Sequence, residues 1–537
     1  MDSQTQTHQA PVLNKLPTIS TVVSIEPEPE PSLGRHTPND IRKDESQTQS
    51  YAQAVRDHPP AFLWCMYIVW VMLSSNYTNT AGSSVLGIPR FRKDFGHPYQ
   101  GGYVLAAKWQ SAYYGASSAA GVLGAIGAAW LSDKVGRKPI LGLALIVKAT
   151  STTLQVVATT NSVFFGGLFL NGLSTGALTT MAFTYIGEVS PLALRGIISA
   201  GTPMAICLGG LFAAILTNYT GEQDSRWAYR TGFVSEYGFV AVSAVFLPFM
   251  PESPWWLVGR GKVDKGLRSL HKLGYSPTQA QEQVRSICDT LDKAKAETSG
   301  ASYIECFRRS NLRRTIISVA PSSIQALSGV VFVSGYSTYY QQLAGFSTRT
   351  SFHLFITQQV LSIFGNFCSW FLIDRVGRRS LNFWGVALLT VLLLITGALA
   401  VADTHSTIKA TVALILFYCY VYNATIGAAA FTIMTETATA RLRAKTASMA
   451  FVLQQALFTM WGFVLPYLFN PDKANLGARV AFIFGGLSVL CLIYLWTYQP
   501  DTAGLSYEVI DELFIKRVPA RQFKHYRTSK TDGPGVE

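Results

Sequence analysis

The composition of this 537-residue chain is that of a membrane protein, since 49% of its residues are hydrophobic and only 14% are charged. This balance excludes an ordinary soluble domain, in which about 25% of the residues are charged. The net charge of +13 does not indicate a nucleic-acid partner, because the basic residues lie in loops between apolar segments and form no soluble basic face with aromatic side chains.

The first 60 residues are predicted to form a disordered cytoplasmic tail. They are rich in Ser, Thr, Gln, Pro and Glu, and residues 26–31 alternate Glu with Pro. The first hydrophobic segment starts too far into the chain, and is too long, to be a cleavable signal peptide. It is therefore predicted to direct membrane insertion itself.

Twelve apolar runs follow in chain order, each long enough to cross a bilayer at about 20 residues. They start near Ala61, Tyr103, Pro139, Val163, Gly196, Gly232, Thr315, Ser351, Leu381, Lys409, Thr446 and Arg479. Each is predicted to be helical, because lipid offers backbone groups no other hydrogen-bond partner. The chain is therefore predicted to be an all-α membrane protein, with a polar stretch over residues 251–314 between the sixth and seventh spans.

Charged motifs recur in the same order in the two halves of the chain, at nearly the same spacing. The recurring residues are Asp133, Arg137, Glu188 and Arg195 in the first half and Asp374, Arg378, Glu436 and Arg443 in the second. This duplication predicts two six-helix repeats. The predicted domains after the tail are a bundle over 61–250, a cytoplasmic linker over 251–314, a bundle over 315–498 and a cytoplasmic tail over 499–537.

Basic residues in short loops predict the orientation, since Lys and Arg accumulate on the cytoplasmic side of a membrane. The connections between spans 2 and 3, 4 and 5, 8 and 9, and 10 and 11 all carry such residues. With an even number of spans, both termini are then predicted to be cytoplasmic. One external loop disagrees, because Arg90, Arg92 and Lys93 lie between spans 1 and 2.

Few other residues carry recognisable chemistry. The seven cysteines lie in spans or in the linker without metal-ligand spacing, and the sequence has no nucleophile motif or phosphate-binding glycine loop. No metal, cofactor or enzymatic activity is therefore predicted. Asn218 begins the sequon Asn-Tyr-Thr in a predicted external loop, and it is the one reasonable acceptor for N-glycosylation.

Taken together, the motifs resemble those of the sugar porters of the major facilitator superfamily, over roughly residues 60 to 525. The matching segments are the two Asp-x-x-Gly-Arg loops at 133–137 and 374–378, residues 188–196, Pro-Glu-Ser-Pro at 251–254 and Pro-Asp-Thr-Ala-Gly at 500–504. Residues 226–230, 306–307, 311–315 and 466–471 are most similar to the fungal α-glucoside (maltose-type) permeases. The resemblance implies the major facilitator fold and transport by alternating access.

The resemblance also implies a gating role for the eight recurring charged residues. Two bundles that rock about a central site need a cytoplasmic seam that is closed in one state and released in the other. Solvated ion pairs are individually worth about 0 to 1 kcal/mol, so a set of them can hold a state without locking it. The alternative is that these residues only fix the topology and cap helix ends.

Three residues are implied by the resemblance as substrate-binding residues. Gln325 matches the first Gln of a span-7 pattern, Gln454 matches a sugar-contacting Gln in span 11, and Phe431 matches an aromatic residue in span 10. Other polar positions of the family are occupied here by Ala326, Val331, Pro203 and Gly210. The pocket is therefore expected to be more apolar than is usual, which favours a less hydroxylated solute.

Proton coupling is expected to use different residues from those usual in the family. The span-1 Asp is replaced within the stretch 76–79, and its span-4 Arg partner is replaced by Leu168. Glu236 matches a span-6 Glu of bacterial proton-coupled sugar porters, and Lys148 lies in the middle of span 3. Charges at membrane depth are costly without partners or water, so both are candidate coupling groups. The alternatives are a helix-end carboxyl in interfacial water and a lysine that faces a neighbouring helix.

The sequence is compatible with three functions. The leading one is a plasma-membrane secondary transporter of a small neutral polar solute, of sugar, glycoside or polyol type, either proton-coupled through Glu236 or passive. An exporter of a fungal specialised metabolite is favoured by the apolar substitutions in the expected pocket. A non-transporting nutrient sensor is the third, and the short predicted C-terminal tail argues against it. The expected partners are the lipid bilayer, the solute and, in a coupled mechanism, protons.

Overall fold

Long helices dominate the structure, as the apolar runs predict. The computed structural model describes residues 51–99, 101–298, 303–402, 404–437, 442–501, 513, 514, 516 and 518–525, all within a unit that starts at Ser50. Eleven helices of the described chain are long and apolar enough to cross a membrane. The helix Pro59–Ser84, with 26 residues, is also long enough and supplies the first of the twelve predicted spans.

The twelve spans have well-defined bounds. In chain order they are Pro59–Ser84, Ala107–Val135, Arg137–Val157, Asn161–Val189, Leu192–Thr220, Trp227–Phe249, Arg309–Leu327 with Val330–Leu343, Thr348–Val376, Arg378–Ala402, His405–Ala424 with Ile426–Thr437, Arg443–Phe469, and Ala481–Tyr498. Shorter helices are Tyr51–Asp57, Pro89–Phe95, Pro254–Gly259, Val263–Lys272 and Pro277–Thr298. Strands β1 (His97–Tyr99) and β2 (Gly102–Val104) pair antiparallel.

Span 1 has an apolar first half and a polar second half. Its second half reads Ser-Ser-Asn-Tyr-Thr-Asn-Thr from Ser74 to Thr80, which leaves it without a stretch as apolar as those in the other eleven spans. Ser74, Ser75 and Thr78 are nevertheless buried. The polar half of span 1 therefore faces the interior of the protein, where polar residues of membrane helices usually have a function.

Spans 7 and 10 are each broken near their middle. Span 7 breaks at Gly329, whose φ of 95° lies in the left-handed region, and span 10 breaks at Thr425. The broken helices expose backbone carbonyls that cannot be left unpaired inside a membrane protein. The Tyr418 hydroxyl donates to Ser328 O at 2.5 Å, and Gln325 Nε2 donates to Ile426 O at 2.9 Å. Each break is thus stabilised by a side chain of the other span.

Spans 2 and 4 touch through glycine, as is common where helices pack closely in lipid. A Cβ atom on Gly176 would overlap the backbone carbonyl of Gly121, and one on Gly124 would overlap that of Leu173. Among the described residues, no atom of a neighbour lies within 4 Å of a Cβ built on Gly166, which is on the same helix as Gly176. The close approach of the two backbones therefore depends on particular glycines.

Gly176→Val is expected to destabilise the protein by about 3 kcal/mol, at the upper end of the cost of overpacking, because a backbone carbonyl cannot move aside as a side chain can. Gly166→Val is the matched control and is expected to have little effect. The measurement is the thermal unfolding midpoint of each variant in detergent. Equal midpoints for the two variants would contradict the proposed packing of spans 2 and 4.

The linker between the halves is helical and attached to the first half. Its helices Pro254–Gly259, Val263–Lys272 and Pro277–Thr298 lie within the polar stretch at 251–314. Trp256 Nε1 donates to Asp133 O at 2.9 Å, and the Arg260 guanidinium donates to the same oxygen at 2.5 Å. The linker therefore rests on the turn between spans 2 and 3. The domain boundaries at 61–250 and 315–498 stay a prediction.

We call the end of the bundle with the turns at Gly136, Ser190 and Gly377 the basic end, and the end with β1 and β2 the hairpin end. The hairpin end contains Arg90, Arg92 and Lys93, the basic residues that do not fit the predicted accumulation of Lys and Arg in cytoplasmic loops. Arg90 forms ion pairs with Asp94 at 3.1 Å and with Asp224 at 3.5 Å. The Arg92 guanidinium lies 5.8 Å from the ring centroid of Tyr339, and its burial lowers its pKa. Local partners thus offset the charges of Arg90 and Arg92.

Asn218 lies in the last turn of the helix Leu192–Thr220 and not in a loop, which corrects the predicted position of the sequon. The helix continues this far because Gly221 N donates to Thr217 O at 2.8 Å and the Thr220 hydroxyl donates to Leu216 O at 3.1 Å. The Oδ1 atom of Asn218 is buried. Glycosylation of Asn218 stays a prediction.

Candidate functional site

A cavity of about 460 Å³ lies between the two halves of the chain. Spans 1, 2, 4 and 5 line it from the first half, and spans 7, 8, 10 and 11 line it from the second. Seven of the lining side chains are carboxamides: Asn76, Asn79, Asn171, Gln358, Gln359, Asn423 and Gln455. Five are tyrosines: Tyr113, Tyr114, Tyr336, Tyr418 and Tyr422. The volume is in the range of about 300 to 1,000 Å³ that small-molecule sites occupy.

The lining chemistry suits a neutral solute that carries hydroxyl groups. Among the described residues that line the cavity, none is Asp, Glu, Lys or Arg. Carboxamides and hydroxyls both donate and accept hydrogen bonds, as sugar hydroxyls do. Tyrosine rings add apolar surface that can cover the C–H face of a sugar. A charged solute would meet no side chain of opposite charge here.

Two buried polar atoms in the cavity wall lack a partner within the described part of the chain. They are Oε1 of Gln358 and the hydroxyl of Tyr336, and each side chain is 1% exposed. An unpaired buried polar group costs about 1 to 3 kcal/mol. Both atoms are covered in this conformation, so a hydroxylated solute would bond to them only after spans 7 and 8 move apart.

Two of the three predicted substrate-binding residues, Gln325 and Gln454, do not lie in the cavity wall. Gln454 Nε2 donates to Gln325 Oε1 at 2.5 Å, and Gln325 Nε2 also donates to the carbonyls of Ile426 and Gly427 at the break in span 10. Both glutamines are buried, and neither belongs to the cavity lining. The side chain of Phe431 lies outside the described residues.

Polar groups reach the cavity from other helices, and the expectation of a pocket more apolar than is usual stays a prediction. A Cβ on Gly210 of span 5 would lie 2.7 Å from Oε1 of Gln359 of span 8. The glutamine of span 8 thus fills the space that a longer side chain on span 5 would need. Asn366 of span 8 likewise donates to Oδ1 of Asn423 at 3.3 Å.

Span 8 carried a signal that the sequence analysis did not use. Gln358, Ser362, Asn366 and Ser369 recur at helical spacing in an otherwise apolar span, and all four are buried. Such a polar stripe on a membrane helix predicts that this face points to the interior of the bundle. It would have indicated Gln358 as a lining residue.

The two charged residues predicted at membrane depth form one buried pair. Lys148 Nζ lies 3.9 Å from Glu236 Oε1, and both side chains are fully buried. The Ser74 hydroxyl donates to the same carboxylate oxygen at 3.0 Å, while Lys148 Nζ donates to Asn171 Oδ1 at 2.7 Å and to Thr175 Oγ1 at 3.4 Å. Glu236 is therefore not a helix-end carboxyl in interfacial water.

At the basic end, Arg137 joins the turns between spans 2 and 3 and between spans 4 and 5. Its guanidinium donates to both carboxylate oxygens of Glu188, at 2.8 and 3.1 Å, and lies 3.3 Å from Asp133. A bidentate Arg–carboxylate pair has a fixed geometry and is among the stronger charged contacts. The first-half members of the gating set except Arg195 are therefore brought together.

The side chains of four members of the gating set lie outside the described residues: Arg195, Asp374, Glu436 and Arg443. Arg378 begins span 9 and is half-buried. The gating role of the eight residues stays a prediction. Its first-half geometry supports a rigid unit at the basic end, to which the linker is attached.

Glu252 belongs to this unit, although the sequence analysis assigned it no role. Its carboxylate accepts hydrogen bonds from the backbone amides of Arg137 at 2.9 Å, Lys138 at 3.2 Å and Ser253 at 2.9 Å. It thereby satisfies amide groups at the start of span 3 that have no partner within the helix. Its place in the Pro-Glu-Ser-Pro motif was the available signal.

At the hairpin end, hydrogen bonds join the two halves directly. Asn470 Oδ1 accepts from Gln110 Nε2 at 2.9 Å and from the Tyr339 hydroxyl at 3.1 Å. Its Nδ2 donates to Leu105 O at 3.0 Å and to Asp472 Oδ1 at 2.6 Å. Asn470 is fully buried, so it connects span 2 with spans 7 and 11 away from solvent.

Comparisons with known proteins agree with this architecture. The family model described as Sugar (and other) transporter matches residues 61–514. The alpha-glucosides permease MPH3 of Saccharomyces cerevisiae is 30% identical over 484 residues, which cover 88% of this chain and 80% of the permease. The maltose permease MAL31 of the same yeast is 29% identical over 481 residues, which cover 88% of this chain and 78% of that permease.

The solved structures to which the chain is similar include the partially occluded inward open conformation of the xylose transporter XylE from E. coli. It matches with a TM-score of 0.68 at 18% identity, and covers 83% of this chain and 99% of that one. This likeness confirms the predicted all-α fold of the major facilitator type. The relatives are permeases and not enzymes. Because the family model spans most of the described residues, the chain belongs to the sugar (and other) transporter family and is a multi-pass membrane transporter.

Proposed function

We propose that this transporter carries a neutral sugar of the α-glucoside type through the central cavity. The observation that supports the proposal best is the cavity lining: seven carboxamides and five tyrosines surround a space of about 460 Å³, and none of the described lining residues is charged. The names of the yeast relatives, which are permeases of α-glucosides and of maltose, agree with this chemistry. The polar lining disfavours the alternative of an exporter of a less polar metabolite.

We further propose that transport is coupled to protons through Glu236 and Lys148. The Glu236 side chain is completely buried, and its Oε2 atom has no hydrogen-bond partner among the described residues. A carboxyl in such a site can exist with or without its proton as its surroundings change. One solved structure similar to this chain is described as a proton:xylose symporter.

We propose the plasma membrane as the location, with the basic end and both termini in the cytoplasm. The excess of Lys and Arg in the short loops at the basic end supports this orientation. The hairpin end then faces the outside. Alternating access would close the halves at one end while they separate at the other.

The test is uptake of labelled maltose by transport-deficient yeast that expresses this chain, at pH 5 and pH 7, beside Glu236→Gln. Faster uptake at pH 5 that is lost in the variant would support both proposals. Equal uptake at the two pH values would leave sugar transport standing and reject the coupling. Protein at the cell surface with no uptake of maltose or glucose would reject the sugar proposal.

Gln358→Ala is expected to raise the apparent KM for the transported sugar about fivefold, because the lost hydrogen bond is worth about 1 kcal/mol. The matched control is Thr357→Ala, since Thr357 is exposed on the other face of the same helix. The measurement is the concentration dependence of uptake, corrected for the amount of protein at the surface. An unchanged KM in Gln358→Ala would exclude this residue from the binding site.

A further inference from the structure

Asn171 on span 4 is the residue at which the central cavity and the buried ion pair meet. It lines the cavity, and it is 1% exposed. Its Oδ1 atom accepts a hydrogen bond from Lys148 Nζ at 2.7 Å. The same carboxamide therefore borders the proposed sugar site and contacts the cation of the proposed coupling pair.

Lys148 is bonded more closely to Asn171 than to Glu236. The distance of 2.7 Å to Asn171 Oδ1 is that of a charge-assisted hydrogen bond, whereas 3.9 Å to Glu236 Oε1 is beyond hydrogen-bond range. Thr175 Oγ1 lies at 3.4 Å on the side of Asn171. The Lys148 ammonium group therefore lies next to Asn171 and farther from Glu236.

Within the part of the chain that the structure describes, few other groups near the pair can carry charge. Ser74 on span 1 donates to Glu236 and is neutral. Tyr77 on span 1 is the further titratable side chain with an electrostatic effect linked to Glu236, and its hydroxyl is bonded to Gly232 O at 2.9 Å and to Ser235 Oγ at 2.5 Å. The position of the Lys148 ammonium is therefore the main electrostatic variable at the Glu236 carboxyl.

A carboxamide can accept one hydrogen bond and donate others at the same time. With Oδ1 of Asn171 held by Lys148, its Nδ2 group is suited to donate to a solute hydroxyl in the cavity. A solute bound in this way would hold the carboxamide in the orientation that retains the ammonium. Without the solute, the carboxamide could turn, and Lys148 could approach Glu236.

We propose that Asn171 is the positioning residue that couples solute binding to the proton on Glu236. An ammonium that approaches Glu236 favours release of its proton, and an ammonium held by Asn171 favours its retention. Solute and proton then each promote the binding of the other, as linkage requires, which gives symport. The inference rests on the proposed function, since it needs both the sugar site and the coupling pair.

The test uses purified full-length protein in liposomes and measures protons and labelled maltose taken up together. In the intact chain we expect a proton-to-maltose ratio near one. In Asn171→Ala the ratio is expected to fall below about 0.1, because solute occupancy no longer controls the position of Lys148. Asn171→Ser, whose hydroxyl can also accept from Lys148 and donate to a solute, is expected to restore most of the ratio.

Gln455→Ala is the matched control, because Gln455 lines the same cavity from the second half. It is expected to lower maltose flux and leave the proton-to-maltose ratio unchanged. An unchanged ratio in Asn171→Ala, even with lower flux, would overturn the inference. Should the alanine variant be misfolded, Asn171→Leu, which keeps the branched shape of the side chain and lacks the amide, carries the same test.

The outcomes also separate this inference from the proposed function. Maltose exchange without proton uptake in the intact chain would remove the coupling and, with it, the role of Asn171. Neither maltose nor proton flux in well-folded protein would reject the sugar proposal itself. A normal ratio in the intact chain and in Asn171→Ala would reject the role of Asn171 alone.

Discussion

Lys148→Met is expected to destabilise the protein by about 3 to 5 kcal/mol, the usual cost of removing one partner from a buried ion pair. Glu236 would keep only neutral hydroxyl partners, Ser74 and Thr78, in a buried site. The expected observation is a large fall in the thermal unfolding midpoint in detergent and little protein at the cell surface. Methionine keeps the length and apolar stem of lysine, so the loss of packing is small.

The double variant Lys148→Met with Glu236→Gln is expected to recover most of that stability, because a buried pair can often be replaced by neutral residues of similar volume at little cost. Glu236→Gln alone is expected to be milder than Lys148→Met, since Lys148 keeps its bonds to Asn171 and Thr175. A double variant no more stable than Lys148→Met would show that the two side chains do not depend on each other.

The same variants separate the stability of the pair from its function. The double variant is expected to fold but to lose the difference in uptake between pH 5 and pH 7, because no titratable carboxyl remains at this site. The coupling proposal requires that the double variant folds and shows no difference in uptake between pH 5 and pH 7. A pH effect that survives in the double variant would assign coupling to another group.

Much of the fold could be predicted from the sequence because bilayer thickness and backbone hydrogen bonding leave few choices. Apolar runs of about 20 residues must be helices, and the repeated motifs at Asp133 and Asp374 mark equivalent turns. The breaks in spans 7 and 10 were harder to predict, since hydropathy is nearly unaffected at Gly329 and Thr425. The two breaks are stabilised by side chains that are distant in the sequence.

The candidate site was harder to predict than the fold because its side chains are shared between helices. Gln325 has the sequence position of a sugar-binding residue, yet its amide pairs with carbonyls that the break in span 10 exposes. Gly210 removes a side chain from span 5, and Gln359 of span 8 takes the space. Neither contact can be predicted from the sequence of one helix, since each depends on which helix packs against it.

The Lys148–Glu236 pair shows the same limit. Each residue could be recognised alone as a charge at membrane depth, because such charges are rare and costly. Their pairing depends on spans 3 and 6 being neighbours, and on Asn171 of span 4 lying beside Lys148. One sequence without its three-dimensional structure cannot supply that information.

Asn470→Ala is expected to shift the protein toward a state that is open at the hairpin end. The asparagine makes two hydrogen bonds to the first half, with Gln110 and with Leu105 O, and both would be lost. At about 0.5 to 1.5 kcal/mol each, these bonds favour closure by about 1 to 3 kcal/mol. That range corresponds to a change of about 5- to 150-fold in the equilibrium between closed and open states.

The measurement uses Cys207, which lines the cavity, in a background whose other six cysteines are replaced by alanine. A membrane-impermeant maleimide added to intact cells should label Cys207 faster in Asn470→Ala, by at least fivefold. The matched control is Tyr99→Phe, which removes one peripheral bond between the halves, to Pro471 O at 3.2 Å. That variant is expected to have a smaller effect.

Faster labelling should be accompanied by slower net uptake, because the cycle must pass through a state that is closed at the hairpin end, and Asn470 stabilises that state. The bonds of Asn470 to Tyr339 and Asp472 lie within the second half, so they persist in both states and do not bias the equilibrium. Labelling at the same rate as in the intact chain would mean that Asn470 supports only the second half. A rate increase as large in Tyr99→Phe would assign closure to the seam as a whole and not to Asn470.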